Sequence, residues 1–228
     1  MSFPASCSSS SRSAGSCRRR SEQSAQRRWP VGETKPVSNG SLIAALGSAD
    51  PGKRERAASE LIAAPDPRAE EPLLQALDDP EAGVRGQAAL AVGSLKSQGA
   101  IARLLELTKD SNWFVRVAAL NGLGYIDPAL PAEPALAALS DDEPLVRQAA
   151  ALNLGASADP VAVDMLMEAL AHDSDWAVRE AAADALGEIG DPKAAASLQR
   201  AARLWRVVVS WRVVRAARRA LRRIQAAR

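Results

Sequence analysis

Four residue types that can bind or react sit together in "DSDWAVREAAADALGEIGD", residues 173–191: Asp173, Trp176, Arg179 and Gly187. A carboxylate and a guanidinium six residues apart could grip a charged ligand, and an indole beside them could stack on one. His172, the only histidine, precedes the stretch and is the sole candidate for an imidazole base or ligand. Its place in a polar turn next to Asp173 points instead to a solvated side chain. Cys7 and Cys17 match neither a metal-ligand spacing nor a disulfide framework. No Ser/His/Asp set, P-loop or Gly-rich phosphate loop accompanies them.

The same constellation recurs, and recurrence changes its meaning. Arg85, Arg116, Arg147 and Arg179 each follow a valine and stand 31, 31 and 32 residues apart. Six residues before them lie Asp79, Asp110, Asp141 and Asp173; eight after them lie Gly93, Gly124, Gly155 and Gly187. A decayed copy at 50–64 has Arg54 in the arginine place and Ile62 in the glycine place. Self-similarity at a fixed period near thirty residues is the mark of a solenoid. A catalytic residue is needed once, whereas a device that sets stacking register is needed in every unit. The Asp–Arg pairs are therefore expected to form a ladder, each arginine bonding aspartates of its own and the adjacent repeat.

Each unit must supply two helices to position these residues. The first is Leu-rich, as in "SLIAAL" (41–46), "EPLLQAL" (71–77), "IARLLEL" (101–107), "PALAAL" (134–139) and "VAVDMLMEAL" (161–170). The second carries the Val-Arg pair. Val178, Ala181, Ala182, Ala185, Leu186 and Ile189 recur at intervals of three and four and line one helical face. Asp173 and Asp175 precede that helix as candidate caps, while Gly187 and "GDP" (190–192) read as stops. Trp113, Trp176 and Trp211 share one slot, which Pro144 fills in another unit, placing it in the first helical turn. Packing between units is the expected use of these tryptophans and of Trp205, with Trp176 also a contact candidate. The fold class expected is all-α, a solenoid of five to six helix pairs that bury their apolar faces only by stacking.

The string D-x-x-x-x-VR-x-x-AA-x-x-LG-x-IGDP, best seen at 173–192, resembles the HEAT family and its phycobilisome-lyase HEAT-like subclass. The resemblance spans roughly residues 41–226. It implies an α-solenoid scaffold or adaptor without chemistry of its own, and a phycobiliprotein or a second HEAT-repeat subunit as partner. It also implies an alternative: one half of a heterodimeric lyase of the E/F type, which attaches or removes phycocyanobilin at an antenna cysteine. Phycocyanobilin would be a cofactor only under that alternative. The cytoplasm of a cyanobacterium is the implied compartment. Deoxyhypusine hydroxylase, also built of HEAT-like repeats, holds two irons on His-Glu pairs, and no such pair exists here.

Charge divides the chain. Residues 1–40 carry seven basic and two acidic residues, 41–191 eleven against twenty-five, and 192–228 eleven basic residues and no acid. Residues 1–40, rich in Ser and Arg and without a hydrophobic period, read as a disordered leader, with a translated stretch upstream of the true start or a plastid transit peptide as alternatives. Residues 41–228 form the solenoid and 192–228 an Arg-rich capping repeat. In that repeat Val213, Ala217, Leu221 and Ile224 make an inward stripe, and Val214 and Arg222 replace the ladder arginine and the glycine. Its arginines suit a solvated cap, an acidic protein partner, or an anionic polymer or membrane. The −14 body opposes nucleic acid along most of its length, and no apolar run is long enough to cross a membrane. Candidate partner contacts are Arg85, Gln87, Asn121, Gln148, Asn153, Trp176, Glu180 and Asp184 on the second helices, with Arg215, Arg219 and Arg222 on the cap.

Overall fold

The computed structural model describes residues 38–130, 132–203 and 211–226. The expected leader up to residue 37, and the slots of Trp205 and Val208, lie outside these. The described residues build six helix pairs. They are α1 (Asn39–Leu46) with α2 (Pro51–Ala63), α3 (Glu70–Ala76) with α4 (Ala82–Ser94), and α5 (Ile101–Leu107) with α6 (Trp113–Ile126). They continue with α7 (Glu133–Ala138) and α8 (Pro144–Ser157), α9 (Val163–His172) and α10 (Trp176–Ile189), and α11 (Ala195–Arg203) and α12 (Trp211–Ala226). No strand occurs among the described residues.

Local signals explain where the helices begin. Asp-Pro pairs open several units: the carboxylates of Asp66, Asp159 and Asp191 accept the backbone N–H two residues on, and the following proline starts a short 3-10 turn into α3, α9 or α11. The proline gives up only an N–H that has no helical partner there. "GDP" at 190–192 is thus half stop and half start. Gly190, at φ 75°, caps α10 in the left-handed region, and Asp191-Pro192 begins the next unit.

The repeating glycines are not stops, as the sequence suggested. Gly93, Gly155 and Gly187 lie inside α4, α8 and α10 and are buried. A Cβ on Gly93 would stand 2.7 Å from the Gly122 Cα, one on Gly155 2.8 Å from the Ala185 Cα, and one on Gly187 2.7 Å from the Ala220 Cα. They are notches that let consecutive second helices pack almost backbone to backbone. The first helices meet through leucines and stand further apart, so the stack curves with the second helices inside. The wedge expected of a tryptophan belongs instead to Phe114, whose ring occupies the space a Cβ on Gly86 would need.

The apolar core is not continuous. Buried residues of the first three pairs form one cluster, and those of the last three, joined by Leu120 from α6, form another. One register position of the first helix shows why. Leu73, Leu104, Leu166 and Leu198 fill it with fully buried side chains, whereas the fourth pair has Ala135.

An alanine normally stabilises a helix interior relative to glycine by about 1 kcal/mol. Gly155→Ala should instead destabilise by about 1–3 kcal/mol, because the added methyl meets backbone across the notch. Thermal melts beside Gly40→Ala, where nothing lies within 4 Å of the added carbon, separate the two effects.

Candidate functional site

The second helices carry the repeating polar residues, and their turns explain the arrangement. Asp79, Asp110, Asp141 and Asp173 each accept, on Oδ1, the N–H two residues later, at 2.8–2.9 Å. That bond fixes the turn leading into the second helix and holds the carboxylate toward the preceding repeat. There it meets a guanidinium side-on. Arg54 reaches Asp79 at 2.6 and 2.8 Å, Arg85 reaches Asp110 at 2.9 and 3.0 Å, Arg116 reaches Asp141 at 2.8 and 2.7 Å, and Arg147 reaches Asp173 at 2.7 and 2.9 Å. The remaining guanidinium nitrogen donates to the carbonyl six residues earlier, as Arg116 does to Asp110 at 3.0 Å. The ladder therefore runs from backbone carbonyl through arginine to the next repeat's carboxylate.

Both partners of each rung are largely withdrawn from solvent, Arg116 and Asp141 each having a side chain 13% exposed. Burial pushes the four carboxyls up. The guanidinium hydrogen bonds, the turn N–H and the arginine charge outweigh it and hold them below the ordinary 3.8. Arg116 and Arg147 are raised in turn, first by the hydrogen bonds to Asp141 and Asp173.

The ladder ends at α10, where Arg179 donates to the carbonyl of Leu170 at 2.9 Å and Val214 lies buried in the next arginine slot. A second device replaces it. Along α10, Glu180, Asp184 and Glu188 recur every four residues, and α12 answers each. Arg212 lies 3.9 Å from Glu180, Arg219 pairs with Asp184 at 2.6 Å, and Arg223 pairs with Glu188. Half of the exposed arginine face of α12 is thereby turned onto its neighbour, while Arg215, Arg218 and Arg222 stay exposed without an ion pair among the described residues. Val213, Ala217 and Ile224 are buried as the inward stripe required, with Leu221 half-buried. That packing leaves α12 no apolar face to insert into a bilayer.

The remaining contact candidates divide by environment. Arg85 is a ladder rung. Asn153 donates to the Ala149 carbonyl at 2.9 Å and to Asn121 at 3.3 Å, and Gln87 and Gln148 are half-buried at the inner surface. Trp113, Trp176 and Trp211 open α6, α10 and α12 at 42%, 45% and 65% exposure, so they are surface residues rather than packing between units. The Arg212 guanidinium lies 5.1 Å over the Trp176 ring. His172 is exposed, 4.0 Å from Glu168. Exposed Tyr125, Leu145 and Leu152 were missed, because only the packed repeats show that these side chains stay uncovered. Among the described residues no His/Cys/Asp/Glu group could hold a metal, and no helix is long and apolar enough to cross a membrane.

Stacked helix pairs joined by an inter-repeat ladder define an α-solenoid. The HEAT repeats family matches residues 40–124 and 132–222, and the chain belongs to that family. No curated protein matches it. Among solved structures it is similar to an engineered protein at 21% identity and TM-score 0.61, covering 82% of this chain and 96% of that one. It is also similar to a designed armadillo repeat protein in complex with the peptide (KR)4, at 18% identity and TM-score 0.60, covering 81% and 98%. The complex of CpcE and CpcF of phycocyanin lyase from Nostoc is 20% identical over 86% of this chain and 98% of that one, with a TM-score of 0.47. The likeness to the engineered and the designed protein shows the fold alone.

Removing one partner of a rung strands the other where water reaches it poorly. Arg116→Ala should cost about 2–3 kcal/mol, and Arg116→Ala/Asp141→Ala less than the sum of the singles by about 1–2 kcal/mol, measured by chemical denaturation. The pH dependence follows from the depressed carboxyls. Their stabilisation is complete above the unfolded value and is lost as pH falls through the lower folded values. Melting temperatures should hold down to about pH 5 and drop below it, and Asp110→Asn should flatten that drop.

Proposed function

We propose that this protein is a non-catalytic scaffold that binds a protein partner along the inner face of its second helices. One observation carries the reading. In a chain that is 25% charged, α4, α6 and α8 contain no charged residue except the ladder arginines. They present instead Trp113, Asn121 and Tyr125 on α6, and Leu145, Gln148 and Leu152 on α8. Steps of three and four place Asn121 next to Tyr125, and Leu145, Gln148 and Leu152 next to one another, along the helix. Tyr125 is 55% exposed and Leu152 50%, on a strip flanked by the acids of α10. An uncharged aromatic and aliphatic strip with amides, inside a charged rim, has the composition of an interface core. Isolated exposed apolar residues mean little, but Trp113 and Tyr125 on α6 stand beside Leu145 and Leu152 on the neighbouring α8.

The 173–192 string, which resembles the phycobilisome-lyase HEAT-like group, supports a finer reading in which the partner is a phycobiliprotein during antenna biogenesis or turnover. The second reading, one half of a heterodimeric bilin lyase of the E/F type, needs no internal nucleophile because the antenna cysteine supplies it. Mixing the full chain with apo- and holo-phycocyanin, followed by size-exclusion chromatography, tests both. The scaffold reading expects a non-covalent complex, weakened at least tenfold by Tyr125→Lys/Leu152→Lys with an unchanged melting temperature. A covalent bilin adduct, formed only when a second HEAT-repeat chain and phycocyanobilin are added, would favour the lyase. Absence of any complex removes both antenna readings. A partner whose binding ignores the double variant would sink the inner-strip assignment.

A further inference from the structure

The break between the two core clusters is also a cavity. It has a volume of about 410 Å3 and lies between α5, α6, α7 and α8, beside the C-terminal turns of the two second helices. Ile101, Leu105, Leu123, Leu130, Ala135 and Leu154 form its apolar wall. Two features of the fourth repeat open it. Ala135 stands where the second, third, fifth and sixth repeats bury leucines 73, 104, 166 and 198. The approach to the first helix is also longer: Asp127 to Glu133 is six residues, against four from Asp66 to Glu70 or Asp159 to Val163. The helix that follows, α7, is only six residues long.

The cavity is open to solvent on one side, so its apolar wall stays hydrated until something covers it. An apolar cavity of about 150 Å3 already admits benzene, and small-molecule sites run from about 300 to 1,000 Å3. This volume therefore takes more than a single side chain and falls in the range of a bicyclic ring system. The charged groups at the rim give the sign of the occupant. Asp127 and Glu133 are exposed carboxylates there, and no lysine, arginine or histidine lines the cavity among the described residues. Asn153 supplies a neutral amide at the inner wall.

We propose that this cavity is a binding site for a small apolar molecule of about bicyclic size bearing one positive charge, its rings replacing the missing leucine and its cation facing Asp127 and Glu133. The site adjoins the inner strip at Asn153 but does not depend on the scaffold reading.

The test uses the full chain and two probes of matched shape and opposite charge, 1-naphthylmethylammonium and 1-naphthylacetate, titrated by calorimetry at neutral pH. The ammonium is expected to bind once per chain and at least tenfold more tightly than the carboxylate. Ala135→Leu restores the residue of the other repeats; it should raise the melting temperature by a few degrees and weaken the ammonium at least tenfold. That combination separates blocked binding from misfolding. Glu133→Gln, at an exposed position, should weaken the ammonium several-fold and leave the melting temperature unchanged, and it serves as the second arm if leucine overpacks the site. Absence of saturable ammonium binding, equal affinity for both probes, or ammonium affinity unaffected by both variants would overturn the proposal.

Discussion

A bidentate guanidinium–carboxylate pair tolerates little displacement, because both N–H groups must meet both oxygens in one plane. Here that geometric demand is repeated four times, from Arg54 to Asp173, and each time it spans two repeats. The aspartate is itself pinned by the N–H of its own turn, and the arginine by a carbonyl of its own turn. Sliding one helix pair along its neighbour would break two hydrogen bonds to charged groups and leave both charges poorly solvated. Apolar packing between alanine-rich helices is smooth and specifies register weakly. The ladder supplies that missing specificity.

The ladder matters most where packing fails. Leucine packing fuses the first three pairs, and separately the last three, into two cores; Ala135 stands at the junction. Across that junction Arg116 bonds both Asp141 and, at 3.1 Å, Asp142. At the far end the constraint changes form. With Val214 in the arginine slot, α12 is held by arginines facing Glu180, Asp184 and Glu188, an exposed version of the same cross-repeat pairing. Arg222 stands in the place that glycine holds in the other second helices and is exposed.

Period, helix pairing and the ladder were legible in the sequence because each depends on residues repeated at a fixed offset. Pro144 at the first turn of α8 and Asp175 capping α10 stand where their types demand. Two roles were misread for a common reason: sequence shows a slot but not what lies across from it. Gly187 eight residues after the arginine resembles a helix end until Ala220 is seen 2.7 Å from its missing Cβ. Trp176 looked like packing because indoles usually bury, yet its slot opens the second helix at the surface. The cavity was legible only as a deviation, an alanine in a column of leucines, and that comparison needs the register the structure supplies.

The central claim is that inter-repeat rungs, above all Arg116 with Asp141, couple two separately packed halves into one folding unit. Segment-resolved hydrogen exchange of the full chain and of Arg116→Gln, in mild denaturant at neutral pH, tests it directly. In the parent protein, protection of α2–α6 and α8–α12 should be lost together, with a common free energy of opening. In the variant the two sets should separate, each retaining protection at its own level. Identical, still concerted exchange in Arg116→Gln would contradict the claim and return the coupling to apolar packing alone.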